Sequence, residues 1–188
     1  MLLVLAVVVV ATVLMVRHNL EPPPNQQQSQ QGSPASADTS GMTPEQMKEQ
    51  IQHQIEHVKD VLATDSSNYD AWEALGNLYF DANMPQEAIV HYRRALELQP
   101  NHPNVMTDLA TMLRVDGKSD EAVEILEQVV ANDSNFTQAW FNLGVIYTFD
   151  LKEPAPAIRA WEHYIALDPM SEHTQAIKKE LERLKAEL

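Results

Sequence analysis

Apolar positions fall into three regimes along the chain. Residues 2 to 16, LLVLAVVVVATVLMV, are apolar without a break, residues 18 to 42 are polar or small with three prolines in a row, and from Thr43 onward apolar residues return every three or four positions. The first regime predicts a membrane-anchor helix over 1–17. At ~1.5 Å per residue it reaches about 23 Å, short of the ~30 Å hydrocarbon core, with Arg17 closing it. Val16, Arg17, His18 and Asn19 offer no small-residue cleavage site, so an uncleaved anchor is expected in preference to a signal peptide or a buried helix. The positive flank missing before Leu2 is expected in a segment upstream of the first Met. The second regime, 18–43, reads as a disordered Pro/Gln/Ser linker, because it has too little apolar surface to offset the entropy of ordering.

The third regime is helical. Thr43-Pro44-Glu45-Gln46 reads as an N-cap, a proline at the first helical position and a glutamine closing a capping box. No alternating strand pattern of useful length occurs, so the class is all-α. The pattern also repeats every 34 residues. Trp72, Leu75, Gly76, Tyr79, Ala88, Tyr92, Ala95 and Pro100 recur as Met106, Leu109, Ala110, Leu113, Ala122, Leu126, Val129 and Ser134. They recur again as Trp140, Leu143, Gly144 and Tyr147, then one residue late as Ala157, Trp161, Tyr164 and Pro169. The insertion is expected in the turn at 150–156. Each copy predicts two helices of about a dozen residues that must stack on neighbours to bury their apolar faces. Small residues at Gly76, Ala110, Gly144, Ala88, Ala122 and Ala157 would allow close helix crossings, and Trp72, Met106 and Trp140 are expected to fill the space between neighbouring pairs.

These residues resemble the tetratricopeptide repeat (TPR) family over 69–171, with departures at Ala110, Val129, Ser134 and Tyr164. The signature is carried by Trp72, Gly76, Tyr79, Ala88, Pro100, Trp140, Gly144, Tyr147, Ala157 and Pro169. The resemblance implies an N-terminal half-repeat helix at 44–68, a TPR solenoid of three helix-pair repeats at 69–102, 103–136 and 137–171, and a C-terminal capping helix at 172–188. It further implies that the second, fifth, ninth and twelfth positions of each repeat line a concave groove. Those positions hold Asp70, Glu73, Asn77 and Phe80; Asn104, Thr107, Thr111 and Arg114; and Gln138, Phe141, Val145 and Thr148. Phe80, Phe141 and Val145 are expected to form an apolar floor, flanked by Asn77, Thr111 and Gln138. With Arg114 as its one cation, the groove lacks the basic clamp by which chaperone-binding members hold a peptide carboxylate.

Charge and chemistry narrow the function. Thirteen basic against 27 acidic side chains give a net charge of −14 and no basic stripe, which argues against nucleic acid. With no cysteine, thiolate chemistry and Cys-type zinc sites are excluded. His53-Gln54-Ile55-Glu56-His57 matches H-x-x-E-H of inverted zinc peptidases. The two histidines, however, lie away from the apolar stripe Met47, Ile51, Ile55, Val58 and Leu62, and no third ligand accompanies them. Solvated surface histidines are therefore expected, with no enzyme and no cofactor. The architecture is similar to membrane-anchored bacterial TPR subunits of cytochrome c maturation. That likeness implies a single-pass membrane protein with its repeats on the periplasmic side, holding a partner protein or peptide. The alternative is a scaffold that self-assembles through its convex face or its ends.

Overall fold

The computed structural model describes residues 43–188. The expected anchor and linker, up to residue 42, lie outside them. Among the described residues no helix is long and apolar enough to cross a membrane. They form eight α-helices and one π-helical turn, with no strand: α1 (Pro44–Thr64), α2 (Tyr69–Asp81), α3 (Pro85–Leu98), α4 (Pro103–Val115), α5 (Ser119–Asn132), α6 (Thr137–Val145), the π turn (Ile146–Leu151), α7 (Pro154–Leu167) and α8 (Thr174–Ala186).

Local sequence sets these starts. Thr43, in extended conformation, accepts the Gln46 N–H through Oγ1 at 3.3 Å, and its own N–H donates to Gln46 Oε1 at 2.8 Å. This is the expected capping box. Asn68 caps α2 by accepting from Ala71 N at 3.0 Å. Proline opens α3, α4 and α7, where a missing N–H costs nothing.

Helices α2 and α3, α4 and α5, and α6 and α7 pack as antiparallel pairs, and successive pairs stack through α3–α4 and α5–α6, with α1 on α2 and α8 on α7. The result is the all-helical TPR solenoid. Its core is continuous through Leu75, Ala88, Tyr92, Ala95, Leu109, Leu113, Ala122, Leu126, Leu143, Ala157, Trp161 and Tyr164, all buried. On α8, Ile177, Leu181 and Leu184 are buried, while Leu188, past the helix end, is exposed. On α1, Ile55 is buried, Ile51, Val58 and Leu62 are half-buried, and Met47 is exposed.

Within each pair the chain reverses at a residue with positive φ: Asn83 (53°), Gly117 (79°) and Lys152 (58°). The next N–H then donates back into the first helix, from Met84 to Tyr79 O, Lys118 to Leu113 O and Glu153 to Tyr147 O, at 2.8 to 2.9 Å. The loop so closed is one residue longer in the third repeat. The inserted residue is therefore absorbed in the π turn at Ile146–Leu151, at the end of the first helix, and not in the turn proper as the spacing suggested. Wider i→i+5 bonding takes up one residue while the reversal keeps its geometry.

Candidate functional site

The signature residues form two kinds of contact. Gly76 and Gly144 sit under aromatic rings. A Cβ on Gly76 would collide with Tyr92, and one on Gly144 would stand 2.5 Å from Trp161 Cδ2. In the second repeat the ring position is Leu126, and Ala110 fits. Trp72 and Trp140 are half-buried. Their Nε1–H groups donate to Ser66 O at 2.9 Å and Ser134 O at 2.8 Å, tying each helix to the loop before it. Trp72 stacks on His91 at 5.6 Å and Trp140 on His163 at 4.2 Å, so each tryptophan takes its stacking partner from the second helix of its own pair. A gap of about 180 Å³ lies beside Trp140, Leu143 and Tyr147, against Glu127 and Arg159.

The expected groove residues divide into covered or internally bonded ones, in the third repeat and over most of the second, and open ones, mostly in the first. In the third, Phe141 is only 5% exposed, edge-on to Trp161 at 5.5 Å and tilted against Tyr164 at 5.2 Å and His173 at 5.3 Å. Val145 is buried as well. Neither is open groove floor, because α7 and the segment leading into α8 cover that face; both belong to the core. Thr148 is buried and accepts the Trp161 Nε1–H at 2.9 Å. Buried Thr107 donates to Pro103 O at 2.8 Å; Thr111 donates to Thr107 O at 2.9 Å and accepts from Asn142 Nδ2 at 3.3 Å. Arg114 is held by both carboxylate oxygens of Asp150, so it is not a free cation. Thr111, Arg114, Asn142, Val145 and Ile146 leave a recess of only about 30 Å³. Gln138 is half-buried.

The first repeat and Asn104 of the second remain open. Asp70 and Asn77 on α2 and Asn104 on α4 are exposed, and Glu73 and Phe80 are half-buried. Behind them Tyr92 Oη donates to Asn77 Oδ1 at 2.8 Å. Apart from Arg114, which is paired with Asp150, the charged groove positions here are acidic. Burial, then repulsion from Glu73 and Asp81, pushes the Asp108 carboxyl up to about 6. Burial also raises Asp81. The Tyr69 and Tyr92 phenols are raised, first by burial and then by these carboxylates. Asp81 and Asp108 were not among the expected groove residues. The signal for Asp81 was Glu73, Asn77 and Asp81 at i, i+4 and i+8, one line along α2; Asp108, on α4, had none.

His53 and His57 are exposed on α1, and among the described residues no three His or acidic side chains converge to hold a metal ion.

Residues 27–175 match the family model described as the cytochrome c-type biogenesis protein H TPR domain. The chain belongs to this family. A barley (Hordeum vulgare) protein described as a probable UDP-N-acetylglucosamine–peptide N-acetylglucosaminyltransferase SPINDLY is 29% identical over 96 residues, 47% of this chain and 10% of that protein. A Mycosarcoma maydis small glutamine-rich tetratricopeptide repeat-containing protein 2 is 28% identical over 124 residues, 66% of this chain and 34% of that one. The chain thus spans about a third or less of the length of these two relatives. Among solved structures, MamA matches with TM-score 0.65 and 21% identity, covering 78% of this chain and 90% of its own. YrrB, described as a TPR protein with an unusual peptide-binding site, matches with TM-score 0.63 and 23% identity, covering 70% and 68%. The first TPR of Spaghetti (RPAP3), bound to the HSP90 peptide SRMEEVD, matches with TM-score 0.57 and 24% identity, covering 65% and 94%. At these identities the likeness shows the fold. Within it, this family member presents an open polar face on its first repeat and at Asn104, and a largely closed one from Thr107 onward.

Proposed function

We propose that the chain is a membrane-tethered interaction module that holds a peptide or helical segment of a partner protein against the first helices of its repeats, in the assembly of c-type cytochromes on the periplasmic side. The observation that carries this reading is the contrast between open and internally bonded positions along the first helices of the repeats. Asp70, Asn104 and Asp108 make no side-chain hydrogen bond or ion pair among the described residues, whereas Thr107, Thr111, Arg114 and Thr148 are spent on internal bonds. Polar side chains left unpaired on one face are available to a partner's backbone and side chains. Family membership supports the pathway, and the peptide-binding YrrB and RPAP3 structures support the mode. The apolar run at 2–16 supports the tether.

The test is a photo-cross-linkable residue at Asn77 or Asn104 of the full chain in its own membrane, with Glu124 on α5 as the control position. Adducts with an apocytochrome or another cytochrome c assembly component are expected from the first two positions and not from Glu124. Adducts formed equally from all three, or with no such component, would overturn the reading. Release of the full chain by alkaline carbonate would remove the tether from it.

A further inference from the structure

Position by position the third helix pair repeats the first, with a ring missing from its interior. On α6, Trp140, Leu143 and Tyr147 stand where α2 has Trp72, Leu75 and Tyr79; on α5, Glu127 and Val130 stand where α1 has Lys59 and Leu62. On α7, one residue late, Ala160 stands where α3 has His91. In the first repeat the His91 ring stacks on both aromatic walls, on Trp72 at 5.6 Å and on Tyr79 at 5.1 Å. Ala160 has no ring to offer, and the gap of about 180 Å³ lies at that place, walled by Trp140, Leu143, Tyr147 and Val130. It persists although His163, in the place of Arg94, stacks on Trp140 at 4.2 Å. An apolar cavity of roughly 150 Å³ is large enough to take up one benzene, so a six-membered ring fits here.

The polar rim has changed as well. Burial, then Lys59, hold His91 below the usual imidazole range, so a neutral ring fills the first slot. In the third, Glu127 replaces that cation. One of its carboxylate oxygens accepts the Tyr147 Oη–H at 2.8 Å, and the other has no partner among the described residues. Arg159, exposed at the rim, makes no hydrogen bond or ion pair among the described residues and is free to lie over a bound ring, as Arg94 lies 5.9 Å from the centre of Trp72.

We infer that the slot between α5, α6 and α7 takes one tyrosine or tryptophan side chain of a partner protein, its ring against Trp140 and Tyr147 and its O–H or N–H directed to Glu127. Apolar walls with a single acceptor at the edge suit an aromatic body with a polar tip. A second copy of the chain does not supply that ring, since no Tyr or Trp among the described residues is exposed and residues 1–42 contain neither. Trp140, Leu143 and Tyr147 lie on the side of α6 turned away from the groove positions Phe141 and Val145. The slot is therefore a second contact surface, and it stands whether or not the groove holds a peptide.

The probe is a phage-displayed library of random dodecapeptides, selected on the full chain and depleted on full-length Ala160→His, which gives the third repeat the side chain of the first. Enriched peptides should share one Tyr or Trp, and replacing it by Ala should weaken them about tenfold or more on the parent chain. Glu127→Gln should weaken the Tyr peptides several-fold with little effect on their Phe counterparts, which bring no donor. Ala160→His should lose the peptides and melt no lower than the parent, because its ring fills the gap. Asn77→Arg, in the groove, should bind them as the parent does. Enriched peptides with no shared ring, peptides that share Leu or Ile instead, or a selection that enriches nothing would overturn the slot. So would an Ala160→His chain that melts well below the parent, since the space would then not be the counterpart of the one His91 fills. Losses in Asn77→Arg would move the peptides to the groove, overturning the slot and leaving the groove reading standing.

Discussion

Gly144 has no side chain because Trp161 occupies the space, and the same exchange of volume runs through the repeats: Gly76 lies under Tyr92, whereas Ala110 is accommodated where the ring position is Leu126. Gly144→Ala should therefore cost about 1 to 3 kcal/mol from overpacking, read by urea or thermal melts. The added penalty should shrink in a Trp161→Leu background, which copies the second repeat; strictly additive penalties would show that the two positions do not share volume. Asp108 gives a prediction of opposite sign. Its folded-state pKa, about 6, lies above the ordinary 3.8, so the folded chain binds more protons across that interval, and Asp108 destabilises it progressively as pH rises from about 4 through about 6. Asp108→Asn should melt higher than the parent at pH 8, by at most about 3 kcal/mol before solvent screening, with the difference fading toward pH 4. A variant that melts lower at pH 8 would show that burial and neighbouring carboxylates do not strain Asp108. At this scale the packing signature was legible, since spacing alone identifies which small residue meets which large one. Phe141 was not: its apolar character was plain, but whether it is open or covered depends on Trp161 and His173, 20 and more residues away.

Helices were legible because their starts are written locally, in the Thr43 capping box, the Asn68 cap and the prolines that open α3, α4 and α7. The π turn was not, since Ile146–Leu151 has ordinary helical residues and the extra one is located only by the hydrogen bond from Glu153 back to Tyr147. The two end helices are unequal in a way that their sequences, both amphipathic, did not disclose. Helix α1 contributes one fully buried apolar side chain, Ile55, with Ile51, Val58 and Leu62 partly covered; α8 contributes Ile177, Leu181 and Leu184 and is led in by His173, which helps to cover Phe141. At about 1.5 to 3 kcal/mol for each fully buried side chain, α8 is worth more, although the entropy of ordering each helix subtracts from both. A chain ending after Ser171 should thus melt lower than one beginning at Asn68, and should expose Phe141 and Tyr164 to an apolar dye. The reverse order of melting temperatures would mean that α1 caps the stack more firmly than its burial indicates.

For the whole molecule, the net charge of −14 sets how stability and binding respond to salt. The ion pairs among the described residues are few and mostly exposed, and pairs of that kind contribute little, so weakening them with salt costs the fold little. Repulsion among the excess carboxylates, of which Glu73 and Asp81 acting on Asp108 is one instance, is screened by the same salt once the Debye length falls from about 30 Å at 0.01 M to a few ångströms near 1 M. The repulsive contribution is the larger, so raising sodium chloride over that range should raise the melting temperature of the chain. Binding of a partner segment should move the other way, because a chain of net charge −14 draws segments of opposite charge, and that attraction is screened too, so the association rate falls. The two trends together separate this charge pattern from an ordinary hydrophobic groove, in which salt would leave affinity level or strengthen it. Measuring melting temperature and peptide affinity on the same salt series decides between them: affinity that holds or grows as the melt rises would mean that the partner is gripped by apolar contacts, with the carboxylates as bystanders.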